Sequence, residues 1–228
     1  MKVSVIIPCF NEVNTIEILL DSVNNETSCE KEIIVIDDLS TDGSRETLKN
    51  IEGKKFSKLI LNDYNKGKGY CIRKGIENST GDIILIQDAD LEYSPSDYKK
   101  LTDPIKNDYA DVVYGSRFTG SQQTRVLYFW HTLGNKFLTL LSNMFTNLNL
   151  TDMECCYKVF KKDLIKKIEL KENRFGFEPE ITAKISKQDV RIYEVGVKYF
   201  GRKYKEGKKI TWKDGFSAIY CILFYNLF

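Results

Sequence analysis

Two aspartates separated by a single residue, Asp88 and Asp90, have the types and spacing needed for metal-assisted chemistry. They follow the apolar run of residues 83–87, which predicts a buried strand. Ligands of α/β proteins bind at the carboxyl ends of strands, and carboxylate oxygens are hard donors that suit Mg²⁺ or Mn²⁺. A metal ion held there would neutralise a departing diphosphate. The alternative is a turn with two solvated acids, which the pair alone does not exclude.

A second acidic segment and a glycine-rich loop accompany this pair. Asp38 ends another predicted strand, and residues 39–43 contain Ser, Thr and Asp, which commonly cap helices. We predict that Thr41 or Asp42 caps the next helix, which leaves Asp38 to accept from base or ribose donors. Residues 65–69 match neither the Walker A nor the dinucleotide-binding pattern. They are either a plain turn or a loop that brings lysines near phosphates.

A sheet must bring these segments together, and the hydrophobic periodicity of the first half predicts one. The predicted strands cover residues 3–7, 32–36, 56–61, 83–87 and 111–114. The predicted helices are residues 14–23, a segment ending at residue 50, a segment ending near residue 77, and residues 96–106. This alternation implies a largely parallel sheet with helices on both faces. Pro8, Asp38 and Asp88 then lie along one carboxyl edge.

The second half carries two apolar helical patterns and a basic run. Residues 126–148 have a broad, aromatic-rich face, for which core packing and an interfacial position are both open. Residues 216–228 form an apolar stretch of about 13 residues, a length that favours a buried or interfacial helix over a membrane span. Residues 199–213 interleave basic with aromatic side chains: Arg202, Lys203, Lys205, Lys208, Lys209 and Lys213 with Tyr199, Phe200, Tyr204 and Trp212. This run fits an anionic lipid surface, with a solvated lysine face as the alternative.

The composition argues against several other classes of protein. The chain has 228 residues, of which 42% are hydrophobic and 29% charged, so we expect one sizeable α/β domain rather than a disordered chain. A net charge of +2 argues against a general nucleic-acid binder. The six cysteines form no CxxC pattern, and we expect reduced thiols in a protein that faces the cytosol. Residues 3–7 are too short for a signal peptide, and no run reaches the ~20 apolar residues of a membrane span.

Taken in order, these segments resemble family 2 glycosyltransferases of the GT-A fold, and among them the dolichyl-phosphate and polyprenyl-phosphate mannose synthases. The matching segments are residues 5–12, 35–44, 65–69, 88–92, 115–118, 177–182 and 201–204. The resemblance implies a single α/β domain of the GT-A fold over residues 1–215, with a mainly parallel central sheet and helices on both faces. From its length and apolar character, we expect the segment of residues 216–228 to form an amphipathic helix at a membrane interface.

The resemblance implies roles for individual residues as well. Asp88 and Asp90 are expected to bind the metal ion, Mg²⁺ or Mn²⁺, and the diphosphate, with Glu92 near the metal. The expected catalytic set is Asp88, Asp90, Arg117 and Arg202. The expected anchors of the acceptor phosphate are Arg117, Arg202 and Lys203. The nucleotide-sugar pocket is expected to contain Pro8, Phe10, Glu12, Ile36, Asp38 and Ala89 besides the two aspartates.

The implied reaction is an inverting, metal-dependent transfer of a sugar, with mannose or glucose expected, from a nucleotide-diphosphate sugar to a polyprenyl or dolichyl phosphate. A phosphate acceptor needs no general base, because its second pKa is roughly 6. A sugar-hydroxyl acceptor needs one, and Glu178 or Glu180 is then the candidate. The implied enzyme is cytoplasmic and peripheral on the cytosolic face of a membrane, with no nucleic-acid partner and with a membrane partner subunit left open.

Two departures from the family leave the sugar and the acceptor open. Leu39 stands where relatives often carry Gly, and residues 151–158 differ from the Ser-Gly-Phe-Arg run common in mannose synthases. One alternative is a family 2 enzyme that glycosylates a sugar hydroxyl in cell-surface polysaccharide or glycolipid synthesis. A second is a non-catalytic nucleotide-sugar binding subunit, against which the intact acidic pair argues. A third is a basic RNA-binding module, which would need a basic surface beyond one segment.

Overall fold

The computed structural model describes residues 1–120, 125–126, 128–203 and 212–228, without the side chains of residues 212 and 213. Part of the basic and aromatic run therefore lies outside the described residues. This concerns the predictions for Tyr204, Lys205, Lys208 and Lys209, and for the side chains of Trp212 and Lys213. Arg202 and Lys203 are described, so these two predicted phosphate anchors can be placed.

In the described residues, seven strands form one sheet in the order β3-β2-β1-β4-β6-β5-β7. The strands are β1 (Val3–Cys9), β2 (Lys31–Asp37), β3 (Lys58–Leu61), β4 (Ile83–Ile86), β5 (Val112–Ser116), β6 (Lys158–Lys161) and β7 (Ile192–Gly196). Strand β6 is antiparallel to both of its neighbours, β4 and β5, and the other pairings are parallel. The predicted mainly parallel sheet is confirmed, and six strands share one carboxyl edge.

The helices lie between and after these strands. They are α1 (Ile16–Asn25), α2 (Ser44–Ile51), α3 (Lys68–Asn78), α4 (Tyr98–Lys106), α5 (Phe129–Thr146), α6 (Lys162–Ile165), α7 (Phe177–Ser186) and α8 (Trp212–Leu227), with a 3₁₀ turn at Pro95–Asp97. The N-cap of α2 is Gly43, so the prediction that Thr41 or Asp42 caps this helix was wrong. Asp42 lies one residue earlier, and its Oδ1 accepts from the Ser44 backbone N at 3.0 Å. Thr41 instead donates its backbone N–H to Asn11 Oδ1.

The central strands are buried on both faces, which explains their continuous apolar sequence. All four residues of β4 are fully buried, and so are most residues of β1. Strand β1 continues to Cys9, two residues beyond the predicted range of 3–7. The pairing of β1 with β4 stops at Ile6, so Pro8 lies where β1 pairs with β2 alone and a missing N–H is tolerated.

Three helices from the second half of the chain, α5, α7 and α8, pack on one another. The two predicted apolar helices are both present, as α5 and α8. Ala183 of α7 is buried with Cys221 and Tyr225 of α8, so α8 is attached by apolar contacts. No helix in the described ranges combines the length and the hydropathy of a membrane span.

Candidate active site

A cleft of about 830 Å³ opens at the carboxyl edge of the sheet and gathers nearly all of the residues that the sequence predicted for the site. The predicted residues that line it are Pro8, Phe10, Glu12, Asp38, Asp88, Ala89, Asp90, Glu92, Arg117 and Arg202. Ile36 and Lys203 are not among the described residues of its lining. Ile36 is fully buried within β2, and Lys203 is exposed. Ligand contacts of these two residues stay predictions.

The acidic pair follows β4, and a lysine at the start of α3 balances part of its charge. The Nζ atom of Lys68 lies 3.0 Å from Asp88 Oδ1. Asp90 Oδ1 accepts a hydrogen bond from the Glu92 backbone N at 3.0 Å. Burial, and then the negative charges of Asp88 and Glu92, raise the pKa of Asp90 to about 7, while Arg202 opposes the rise. The pair is therefore a concentration of negative charge that favours binding of a cation.

Arg202, in the segment that follows β7, adds a positively charged side chain to this acidic cluster. Its guanidinium donates to the Glu12 carboxylate twice, from Nη1 to Oε2 and from Nη2 to Oε1, at 3.0 Å each. Nη2 also lies 3.3 Å from Asp90 Oδ2. Glu92 holds the same segment, since its carboxylate accepts from the Arg202 backbone N at 2.6 Å and from Tyr199 Oη at 3.0 Å. Glu12 and Glu92 are thus engaged with protein groups.

The donor set fits a divalent cation at the two aspartates. Within the described ranges, no group of three acidic, cysteine or histidine side chains is arranged to hold a metal ion. Mg²⁺ is usually held by one or two carboxylates together with substrate phosphates and water, so a complete protein cage is not needed. Asp88 and Asp90 provide hard oxygen atoms and excess negative charge beside an open cleft. Glu92 as a third ligand stays a prediction.

Arg117 lies across the cleft at the end of β5 and is oriented by a buried carboxylate. Its Nε and Nη2 donate to Asp152 Oδ2 and Oδ1, both at 2.7 Å, in a bidentate pair. The guanidinium carbon also lies 5.3 Å from the centre of the Tyr199 ring. Such a pair fixes both the position and the positive charge of Arg117. Asp152 is a positioning residue that the sequence did not assign.

Asp38 organises the glycine-rich loop. Its Oδ1 accepts from the Lys66 backbone N at 2.9 Å and from Asn62 Nδ2 at 2.7 Å, and its Oδ2 accepts from the Gly67 backbone N at 2.7 Å. Gly67 has a φ of +94°, and a Cβ atom there would lie 2.4 Å from the carbonyl oxygen of Asn173. The glycine is needed for close packing of the chain on itself. A contact of Asp38 with a base or ribose stays a prediction.

The two candidate general bases differ in position. Glu178, near the N-terminus of α7, lines the cleft, and its Oε1 lies 3.0 Å from Lys68 Nζ. Glu180 is fully buried, and its carboxylate accepts from the backbone N atoms of Lys171 at 2.7 Å and Glu172 at 2.8 Å. Glu180 therefore stabilises the segment before α7, and Glu178 is the one of the two that a substrate can reach.

The structure adds cleft residues to which the sequence assigned no role. Glu154 and Cys156 come from the segment between α5 and β6, and Trp130, Asn135 and Leu138 come from α5. The departure of residues 151–158 from the family run was the one signal that pointed to the first two. Nothing in the periodicity of α5 distinguishes its cleft-lining residues from an ordinary packing face.

An apolar groove of about 220 Å³ lies between α5 and α8. Gly134, Leu138 and Gly215 line both the groove and the cleft, so the two are adjacent. The outer surfaces of these helices expose large apolar side chains, namely Phe129, Trp130, Leu133, Phe137, Leu140 and Met144 on α5 and Phe216, Tyr220, Phe224 and Leu227 on α8. The sequence predicted apolar helices, but the groove exists only because the two helices pack side by side.

Known proteins are similar to this chain in sequence. A dolichol-phosphate mannosyltransferase from Pyrococcus furiosus is 28% identical over 217 residues, which cover 92% of this chain and 61% of that protein. The chain thus spans less than two thirds of that relative's length. A UDP-N-acetylglucosamine–dolichyl-phosphate N-acetylglucosaminyltransferase from Methanococcus voltae is 24% identical over 240 residues, covering 97% of this chain and 95% of that protein.

A solved structure shows the same fold. It is glucosyl-3-phosphoglycerate synthase from Mycobacterium tuberculosis in complex with Mn²⁺, UDP and phosphoglyceric acid, with a TM-score of 0.77 at 18% identity over 98% of this chain and 78% of that one. This likeness confirms the predicted GT-A fold. The family model described as glycosyl transferase family 2 matches residues 4–169, a range that includes the acidic pair and Arg117. Since that match covers most of the chain, the protein belongs to glycosyl transferase family 2.

Proposed function

We propose that the protein transfers a hexose, mannose or glucose, with inversion from a nucleotide-diphosphate sugar to a polyprenyl or dolichyl phosphate at the cytosolic face of a membrane. One observation carries the choice of a lipid acceptor. The apolar groove between α5 and α8 borders the cleft that holds the acidic pair and two arginines, and the two share lining residues. A lipid phosphate matches this arrangement, because its anionic head suits the arginines and its apolar chain suits the groove.

The donor end of the reaction depends on the acidic pair. Asp88 and Asp90 would hold Mg²⁺ or Mn²⁺, and the bound ion would supply positive charge for the diphosphate as it departs. Lys68 Nζ, 3.0 Å from Asp88, adds a second positive charge at that position. The Mn²⁺ and UDP in the mycobacterial structure support a donor of this class.

The acceptor end depends on Arg117 and Arg202. Guanidinium groups bind phosphate through two parallel hydrogen bonds, and both arginines line the cleft. Asp152 holds Arg117 in place, whereas Arg202 must exchange its contacts with Glu12 and Asp90 for a phosphate. A phosphate oxygen attacks without a general base, because it is already ionised near neutral pH. The names of the two relatives, both dolichyl-phosphate glycosyltransferases, support this acceptor.

The exposed apolar surface supports a peripheral position on the membrane. Trp130 is 75% exposed on α5 and Phe216 is 67% exposed on α8, and an aromatic-rich surface of this kind binds the interfacial region of a bilayer. The six cysteines are thiols that form no disulfide bond in the described chain, which supports a reducing, cytosolic side. A separate membrane subunit stays a prediction.

The groove gives a direct test of the lipid acceptor. A Cβ atom at Gly134 would meet no atom of the described chain within 4 Å, so a side chain there fills the groove without an internal clash. We expect Gly134→Leu to raise the KM for a long-chain polyprenyl phosphate about tenfold or more, since several buried CH₂ contacts are worth ~0.8 kcal/mol each. Gly134→Ala is the matched smaller change and should have a lesser effect. The donor KM should stay unchanged in both variants.

A short-chain acceptor completes this test. A phosphate with a single isoprenoid unit does not extend along the groove, so its KM should be the same in wild type and Gly134→Leu. Equal effects on short and long acceptors would contradict an isoprenoid path between α5 and α8.

A sugar-hydroxyl acceptor is the second candidate, and Glu178 favours it. This carboxylate faces the cleft, and its Oε2 is buried without a hydrogen-bond partner within the described part of the chain. It is therefore placed to accept a proton from a hydroxyl. Donor hydrolysis or transfer to a sugar, lost in Glu178→Gln and without lipid product, would establish this alternative.

A further inference from the structure

Two carboxyl groups in the cleft have no role in the proposed transfer to a lipid phosphate. Glu154 Oε1 and Glu178 Oε2 are both shielded from solvent, and neither has a hydrogen-bond partner among the described residues. Both side chains line the cleft, and Glu178 is only 3% exposed. Because burying an unpaired polar atom destabilises a fold by about 1–3 kcal/mol, two such atoms in one cleft are well placed to accept hydrogen bonds from a bound substrate.

Glu178 lies close to the expected position of the donor diphosphate, and Glu154 lies near Glu178. Lys68 Nζ contacts Asp88 Oδ1 and Glu178 Oε1 at 3.0 Å each, so a single ammonium joins Glu178 to the acidic pair. The charge of Glu178 in turn acts on Glu154. The two glutamates therefore lie near each other in the cleft, and Lys68 connects Glu178 to the acidic pair where the bond to the diphosphate would break.

We propose that Glu154 and Glu178 form the subsite for the hexosyl group of the donor, with their unpaired oxygens accepting hydrogen bonds from sugar hydroxyl groups. This inference rests on the proposed function, because it assumes a nucleotide-diphosphate hexose in the cleft. Glu154 is then a residue that determines which sugar binds. It lies in residues 151–158, where the chain departs from the mannose synthases it resembles.

Hydroxyl groups of a ligand are suitable hydrogen-bond partners for these two carboxyl groups. Glu154 faces Glu178 and Asp152, which are negative, and Lys158 and Arg117, which are positive. Burial first, and then the charge of Glu178, raise the pKa of Glu154 to about 8, so near neutral pH it is a neutral acid with one acceptor and one donor. A sugar ring offers adjacent hydroxyl groups that can satisfy both, whereas a hydrocarbon would leave the oxygen unpaired.

Titration calorimetry in the absence of an acceptor distinguishes the contribution of the sugar to donor binding from that of the nucleotide. Wild type and Glu154→Ala are titrated, in the presence of Mn²⁺, with UDP and UDP-glucose and with GDP and GDP-mannose. We expect Glu154→Ala to weaken binding of the hexosyl nucleotide about tenfold or more, since a hydrogen bond to a carboxyl group is lost. The affinity for the matching nucleoside diphosphate should change less than about twofold, because the lost contact is with the sugar.

Two controls keep the outcome unambiguous. Glu154→Gln keeps the volume and one acceptor oxygen, so its affinity for the hexosyl nucleotide should lie between those of wild type and Glu154→Ala. An equal loss for nucleotide and hexosyl nucleotide, or no loss for either, would overturn the sugar subsite. If wild type binds neither nucleoside diphosphate, the proposed function fails and the subsite fails with it, which is a different result from a defect confined to the variants.

Discussion

Replacing Glu154 with Gln should change how the stability of the protein depends on pH. Burial, reinforced by the charge of Glu178, raises the pKa of the Glu154 carboxyl from an ordinary 4.5 to about 8. The folded protein therefore holds this proton more tightly than the unfolded chain does. That preference is fully present at low pH and is lost as the pH rises from about 4.5 to about 8. Glutamine does not titrate, so the variant lacks this loss.

The size of the effect follows from the shift in pKa. Each pH unit between the two pKa values lowers the free energy of unfolding by about 1.4 kcal/mol. From pH 5 to pH 7, wild type should lose about 3 kcal/mol relative to Glu154→Gln. Urea unfolding of both proteins across this range, without nucleotide or metal, measures the difference. A difference that does not vary with pH would refute the view of Glu154 as a desolvated carboxyl group.

Other substitutions have expected outcomes of their own. Asp88→Asn should lower the transfer rate about 10²-fold or more without changing the circular dichroism spectrum, and a wild-type rate would contradict its role. Burial opposes ionisation of Glu32, but hydrogen bonds led by that of Ser4 lower its pKa to about 2, so its carboxylate stabilises the fold above about pH 4. Glu32→Gln should lose about 1–2 kcal/mol at neutral pH after solvent screening, and urea unfolding should show the difference shrinking as pH falls towards 2. Gly67→Ala should destabilise the protein by about 1–3 kcal/mol in thermal unfolding, more than Gly120→Ala, which has a similar φ but no crowding by described atoms.

The parts of the fold that the sequence predicted are those with strong local patterns. Strands β1, β2 and β4 contain apolar runs because their central residues are buried on both faces. The acidic residues that follow β2 and β4 lie at one edge because these strands are parallel. Strand β6 was missed because lysines occupy both of its ends. One of them, Lys158, is fully buried and donates to the carbonyl oxygens of Met153 and Cys155, a contact that periodicity does not reveal.

Long-range contacts account for the parts of the site that the sequence did not predict. Arg202 and Glu12 are 190 positions apart, and their ion pair depends on the return of the chain to the cleft after β7. For the glycine-rich loop, the sequence predicts either a plain turn or a loop near phosphates. Close packing against residues 172–174 explains why the loop needs glycine. The unpaired oxygen of Glu154 is a property of its surroundings, so only a structure can reveal it.

The most direct test of the central claim is transfer of radiolabel from GDP-mannose, UDP-glucose and UDP-N-acetylglucosamine to a long-chain polyprenyl phosphate. The reactions contain Mg²⁺ or Mn²⁺, and parallel reactions contain EDTA. We expect a butanol-extractable product from one donor, formed with metal and lost with EDTA. Binding or hydrolysis of a donor without lipid-soluble product would contradict a lipid-phosphate acceptor, and Glu178 would then be the first residue to test as a general base.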